Sequence, residues 1–335
     1  MILAPTKVAI ESFQTIEIMA KTFASQGDLG EKKKSFVELA GGAYGYTAEG
    51  DPNSGVIVGE DAVMVIEAQA TPKMAEDVIA KVRSVTDKPI KYLVLTHYHA
   101  VRVLGASAYQ ADEIITSHKT WEMIMERGKQ DWDSEFGRFP RLFRGHESIL
   151  GLTYPTMTFT DKMTIDLGNK KVELMHIGEG HTRGDIIAWL PEDRVCFAGD
   201  LVEYGATPYC GDAQLKNWSG TLQRLAALKP KAMVPGRGEA LTTELQCLEA
   251  INGTAEYTTM LYNLALMSVT AGEDLKTCYN RMLEKMTPIF GHWVIFEHCM
   301  HFNAKRAYDE AKGIEHPEIW TDEIDIAMWN ELNAQ

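Results

Sequence analysis

Disulfide chemistry is the first thing this sequence lacks. Its five cysteines, Cys196, Cys210, Cys247, Cys278 and Cys299, are scattered, none falls in a C-x-x-C pair, and an odd number does not build a disulfide framework. A reducing, cytoplasmic setting is the simplest expectation. Long apolar runs are missing as well: nothing approaches the ~18–20 residues that a membrane span needs. The first stretch, MILAPTKVAIESFQTIEIMAKTFA, carries Glu11 and Glu17 where a signal peptide would have its apolar core, so it reads as an amphipathic segment and not as an export signal. Positive charge is in deficit, with 33 Lys and Arg against 47 Asp and Glu and a net charge of -14. That balance argues against nonspecific binding to nucleic acid or to an anionic membrane, both of which need basic surface. It leaves room for a locally positive pocket and a small anionic substrate.

What is present is a chain of 335 residues, 45% hydrophobic and 24% charged, enough for a substantial core in one large or two modest domains. Three regions differ in texture. Residues 1–35 look helical and peripheral. Residues 36–240 hold short β-rich runs (FVELA, SGVIV, AVMVIEA, IKYLVLT, then TMTFT, KMTIDLG, KKVELMHIG, DIIAWLP, RVCFAGD, AMVPGRG) interspersed with helices. One of those helices is clearly marked: Met74, Val78, Ile79 and Val82 recur at helical spacing behind Thr71 as N-cap and Pro72 at the first helical position. Residues 118–150 mix aromatics with charge and suggest a helical lid. Residues 241–335 read almost entirely as helix, and their apolar content predicts a homodimer interface. Two runs of strands with interspersed helices predict an α/β fold of two sheets packed face to face with helices outside.

Four loops at strand ends carry the chemistry: THYHAVR, GEGHTRGD, FAGDLV and VPGRGE. His97, His99 and His181 offer three imidazoles and Asp200 a hard oxygen, a donor set that suits Zn²⁺, Fe²⁺ or Mn²⁺. A lone His-x-His is common and means little; the ordered series H-x-H, G-H-T-x-G-D, A-G-D and P-G-x-G means more.

Over about Phe36 to Glu239 these residues resemble the metallo-β-lactamase superfamily, whose signature is H-x-H-x-D-H, then the His of G-H-T, an Asp in G-D and a last His in P-G-H-G. The resemblance implies a four-layer αβ/βα sandwich with an added C-terminal helical region, and a hydrolase using one or two metals. It also implies His97, His99 and His181 as ligands of the first metal and Asp200 as the bridging carboxylate; Glu67 stands where an Asp is usual. The departures are Val101 for the signature Asp, Arg102 for the signature His and Arg237 for the last His. All three fall on the second metal. Two guanidiniums supply +2 permanently, as a second divalent ion would, so one metal per chain is expected, zinc first and iron as the alternative.

The expected activity is a zinc-dependent hydrolase opening an ester, lactone, thioester or amide of a small anionic substrate. Asp200 would complete the metal shell or take a proton. Arg102 and Arg237 would either grip the substrate's anionic group or merely pair with Asp200, and Tyr44 and Tyr46, in the Gly-rich GGAYGYTAEG, would overhang the site from a loop. A rival is an iron dioxygenase of the persulfide-dioxygenase kind, with His97, His181 and Asp200 as ligands and His99 off the metal. A third possibility is a non-catalytic binding protein. His298 and His301, three apart in EHCMHF, are weaker candidates for the pocket.

Overall fold

The computed structural model describes residues 32–333, so the expected helical segment 1–35 lies outside the described residues as far as residue 31. Sheet one contains β1 (Lys34–Ala40), β2 (Ala43–Ala48), β3 (Asp51–Val58), β4 (Val63–Ile66), β5 (Ile90–Val94), β6 (Glu113–Ser117) and β7 (Met157–Phe159), side by side in chain order. Neighbours are antiparallel from β1 to β4 and parallel from β4 to β7. Sheet two contains β8 (Lys162–Asp166), β9 (Lys171–Met175), β10 (Ile187–Leu190), β11 (Val195–Gly199) and β12 (Ala232–Pro235), in the order β12-β11-β10-β9-β8. Only β11 and β12 run parallel there.

The apolar runs VMVI and VCFAG are buried at every position. Strands buried on both faces must be covered on both, and they are. Between the sheets, Ile57, Met64, Ile66 and Val94 of the first meet Leu174, Ala188, Phe197 and Val234 of the second. Outside the first sheet lies α1 (Pro72–Val85), started as expected: Thr71 accepts from the Met74 N–H and Pro72 opens the helix. Beyond it come α2 (Ala100–Val103) and the long α3 (His118–Arg138). Outside the second sheet lie α4 (Leu215–Ala227) and the helices α5 (Glu244–Thr270), α6 (Leu275–Phe290), α7 (Phe296–Ala311) and α8 (Asp322–Asn333). The C-terminal helices share one apolar core with sheet two, which runs from Ile187 through Trp218 and Tyr257 to Leu332. All five cysteines are free and buried, and among the described residues no helix is long and apolar enough to cross a membrane.

Candidate metal centre and its cavity

The four candidate loops follow β5, β9, β11 and β12. His97 and His99 leave β5 just before α2, whose first turn needs partners for its N–H groups. Two α3 carboxylates supply them: Asp131 accepts from Ala100 N at 2.7 Å and Glu135 from Val101 N at 2.9 Å. One turn apart on α3, they pin the loop that carries the histidines. Glu67 fixes its start, accepting from Thr96 N at 2.7 Å; burial pushes this carboxyl up to about 7, against the pull of Arg102.

His97, His99 and His181 are 1–2% exposed, and their candidate donor atoms all lie within 4.8 Å of one another. The ring planes meet at 82–83°, with centroids 4.7–4.9 Å apart. Each ring has one nitrogen held from behind. His97 Nδ1 sits 3.0 Å from the Thr96 hydroxyl, His99 Nε2 sits 2.9 Å from Asp212, and His181 Nδ1 donates to the Tyr209 carbonyl at 2.9 Å. Such outer partners fix ring orientation and tautomer at metal centres. The opposite nitrogens converge: His181 Nε2 and His99 Nδ1 are 2.9 Å apart, and His97 Nε2 is buried with no hydrogen-bond partner. Burial pushes His181 down to about 3 and His97 well below its ordinary value, with Asp200 opposing in both, so both are neutral and ready to coordinate. Burial would lower His99 too, but Asp131 and Asp212 outweigh it and lift this imidazole to about 9. An orphaned buried nitrogen beside two convergent ones is the geometry of a three-histidine site; these residues fit one metal ion, whose binding would displace the proton that His99 carries without it.

Asp200, at the end of β11, places Oδ2 3.7 Å from His97 Nε2 and 3.6 Å from His181 Nε2. Burial alone would raise its pKa, but Arg102 and Arg237 hold the carboxyl well below the usual range. The two arginines behave differently. Arg102 is completely buried; it pairs with Asp200 Oδ1 and donates to the Asn53 carbonyl at 3.0 Å and the Gly236 carbonyl at 2.9 Å. It is not among the residues lining the cavity, and of the two roles open to the arginines its contacts are those of pairing with Asp200. Arg237 does line the cavity, and its Nη1 bridges Asp200 at 3.0 Å and Glu203 at 3.1 Å. Burial, reinforced by Asp200, pushes Glu203 up to about 8. Gly236 permits this closeness: a Cβ there would run into the Asp200 carboxylate and stand 2.9 Å from its Cα.

The loop expected at Tyr44 and Tyr46 is corrected. They lie in strand β2, not in a loop, and neither lines the histidine cavity. Tyr44 stacks on Phe36, and Tyr46 is buried in the core under α1. His298 does line the cavity, whereas His301 is buried against Asp325 of α8 at 2.5 Å.

The cavity is narrow, with a volume of about 60 Å³. Beside His99, His181, Asp200 and Arg237, its wall is largely apolar: Val101, Phe139, Leu142, Tyr209, Ile295 and Phe302. Residues 139–142 come from the turn after α3, so the 118–150 excursion does border the site. Sequence reasoning missed Asp212, Glu203, Asp131, Glu135 and Tyr209. The i, i+4 carboxylates of α3 were the one signal that could have been read; the others belong to no motif.

Comparison with known proteins points to one family. The family model described as the metallo-beta-lactamase superfamily matches residues 47–237. A type 2 metallo-beta-lactamase of Bacillus cereus is 24% identical over 200 residues, covering 58% of this chain and 70% of that protein. An acyl-coenzyme A thioesterase of Bos taurus is 28% identical over 151 residues, covering 42% of this chain and 52% of that protein. Among solved structures, a metallo-beta-lactamase from Pontibacter korlensis aligns with a TM-score of 0.54 at 20% identity, over 68% of this chain and 99% of that one.

Proposed function

Since the chain belongs to the metallo-beta-lactamase superfamily, we propose that it is a mononuclear metal-dependent hydrolase, zinc-loaded, that cleaves an ester or thioester with an apolar part. The observation that carries this reading is the set of three imidazoles whose inner nitrogens converge while Arg102 and Arg237 fill the neighbouring lobe. His97, His99 and His181 would hold the ion. When bound, such a metal supplies Lewis acidity and lowers the pKa of a water from about 15.7 towards roughly 7.

The chain's own groups do the rest. Asp200 is kept anionic by its two guanidiniums, so it orients the attacking water as a hydrogen-bond acceptor and does not store the proton. Arg237 stands on the cavity side of Asp200, where its fixed charge stabilises negative charge developing on the substrate carbonyl oxygen. Arg102 acts as a brace, since it is buried and faces Asp200. Val101, Phe139, Leu142, Ile295 and Phe302 receive the apolar part and exclude water. The similarity to an acyl-coenzyme A thioesterase supports an acyl thioester among the candidate substrates. The iron-dioxygenase alternative requires His99 to stay off the metal, whereas His99 Nδ1 lies within the cluster, 2.9 Å from His181 Nε2.

The test is metal analysis of purified protein together with turnover of acyl esters and thioesters with and without oxygen. One zinc per chain and oxygen-independent hydrolysis are expected. Two tightly bound ions would sink the half-site reading, and oxygen consumption with bound iron would replace the hydrolase by the dioxygenase.

A further inference from the structure

Asp200 cannot take the proton that the attacking water gives up, because Arg102 and Arg237 hold it ionised. Hydrolysis nevertheless moves one proton from that water to the leaving atom, so a second acid–base group is needed in the cavity wall. Beyond the arginines, which keep their protons, the wall offers Glu135, Tyr209, His298 and Cys299. Burial pushes the Cys299 thiol up to about 12 and the Tyr209 phenol well above its ordinary value. Glu135 and His298 remain.

Glu135 is placed for the task. It stands on α3 one turn after Asp131, and the two carboxylates accept from adjacent N–H groups of α2. They differ in what lies in front of them. Asp131 is not part of the cavity wall, whereas Glu135 is, at 6% exposure. Glu135 Oε2 accepts from Val101 N at 2.9 Å, which fixes the side chain. Oε1 accepts from none of the described residues and is not sealed in the interior, so one oxygen is an anchor and the other is open to the cavity. The charged and titratable neighbours of Glu135 are His99, Asp131, Arg138, Tyr209 and Arg237. Its two cationic arginine neighbours donate elsewhere, Arg138 Nε to Ser134 at 3.1 Å and Arg237 Nη1 to Asp200 and Glu203.

We propose that Glu135 is the catalytic proton carrier of the hydrolysis, a role that rests on the hydrolase reading above. The water oxygen forms a bond to the acyl carbon while its proton passes to Glu135 Oε1. The bond from that carbon to the leaving oxygen or sulfur breaks with its electron pair on the leaving atom. That atom takes the proton from Oε1, and the carboxylate is restored. A basic alkoxide depends on this delivery, whereas a phenolate or thiolate departs without it.

The experiment compares the phenyl and ethyl esters of one short apolar acid in metal-loaded wild type, Glu135→Gln, Asp131→Asn and His298→Gln. Gln keeps an acceptor for Val101 N, so fold and metal content should match wild type by circular dichroism and elemental analysis. Glu135→Gln is expected to lower kcat for the ethyl ester by about 100-fold and for the phenyl ester by no more than about threefold. Asp131→Asn, which loosens the same loop from outside the cavity, lowers both alike. An ether analogue of the ethyl ester, with no carbonyl to attack, should bind wild type and Glu135→Gln with Kd values within about twofold by calorimetry, since the carboxylate moves a proton and does not hold the acyl group. Equal losses on the two esters in Glu135→Gln reduce the residue to a support for α2 and overturn the proposal. So does an ethyl-ester defect that appears in His298→Gln alone, or an ether analogue that Glu135→Gln no longer binds. If wild type cleaves neither ester, the hydrolase reading itself falls and takes this role with it.

Discussion

Replacing Arg102 by Ala tests whether this guanidinium is a brace or a substrate anchor. The side chain is 0% exposed and serves three acceptors: Asp200 Oδ1, Asn53 O and Gly236 O. Removing one partner of a buried ion pair costs about 3–5 kcal/mol. The two carbonyls would add about 1–3 kcal/mol each if left dry, but the vacated volume and its polar lining admit water. Arg237 also still faces Asp200. The net expectation is about 4 kcal/mol, which in a chain of this size lowers Tm by roughly 8 °C. Arg102→Lys keeps the charge without the fork and should lose about half as much. The assay is urea unfolding of metal-free protein in EDTA, with the m-value unchanged as the sign that only stability moved.

The pH dependence follows from Asp200, whose folded pKa is depressed below its unfolded value. A depressed carboxyl stabilises the fold above the unfolded value, near 3.9, and loses that contribution as pH falls towards the folded value. The gap between wild type and Arg102→Ala should therefore be full at pH 7 and narrow below about pH 4. A loss under about 1 kcal/mol at pH 7, combined with a raised KM for anionic substrates, would refute the brace and restore Arg102 as an anchor.

Further outcomes are expected. His97→Ala, His99→Ala and His181→Ala should each release the metal with most of the fold retained, checked by elemental analysis and circular dichroism. Asp212→Asn, which weakens the acceptor behind His99 Nε2, should lower metal affinity by about 10–100-fold in chelator competition. Burial raises Glu67 to about 7, so the native state binds the extra proton and this residue's contribution falls as pH rises from about 4.5 to 7; Glu67→Gln should flatten that slope in pH-dependent unfolding. Leu266 and Met267 are 42% and 58% exposed on α5. If the C-terminal helices form the expected homodimer, Leu266→Glu/Met267→Glu should sediment as a monomer at micromolar concentration.

The parts of this molecule that were legible in its sequence are those encoded locally. Thr71 and Pro72 announced α1 because a cap and its first turn are neighbours in the chain. That the three histidines and Asp200 gather at one place was legible because each lies just beyond the end of a strand. Tyr44 and Tyr46 were misread because glycines beside tyrosines look like a loop. Gly45 instead sits where a Cβ would stand 2.9 Å from Val234 and 3.1 Å from Ala240, so here glycine marks close packing on a strand. Asp212 could not be assigned, because its partner His99 lies 113 positions away; the spacing of Glu135 from Asp131 could be read, but not its partner Val101, 34 positions away. Nor could sequence decide which way an arginine points. Arg102 and Arg237 replace equivalent ligands, yet one is enclosed between Asn53 and Gly236 and the other lines the cavity.

Arg102 joins backbone from opposite halves of the sandwich: Asn53 belongs to sheet one, while Asp200 and Gly236 follow strands of sheet two. Alongside it, Asn53 N donates to Gly236 O and the Asn53 side-chain amide donates to Pro235 O and Gly238 O, all at 2.9 Å. A fluctuation that exposes these groups must slide one sheet off the other, because no smaller movement breaks the cross-ties one at a time. The amide of Asn53 should accordingly exchange with deuterium only through whole-molecule opening, in the slowest class, although it stands near the end of its strand, where exchange is ordinarily fast. The edge that carries the proposed metal site is then among the most rigid places of this sandwich, and heat would undo the site only at the temperature that unfolds the chain.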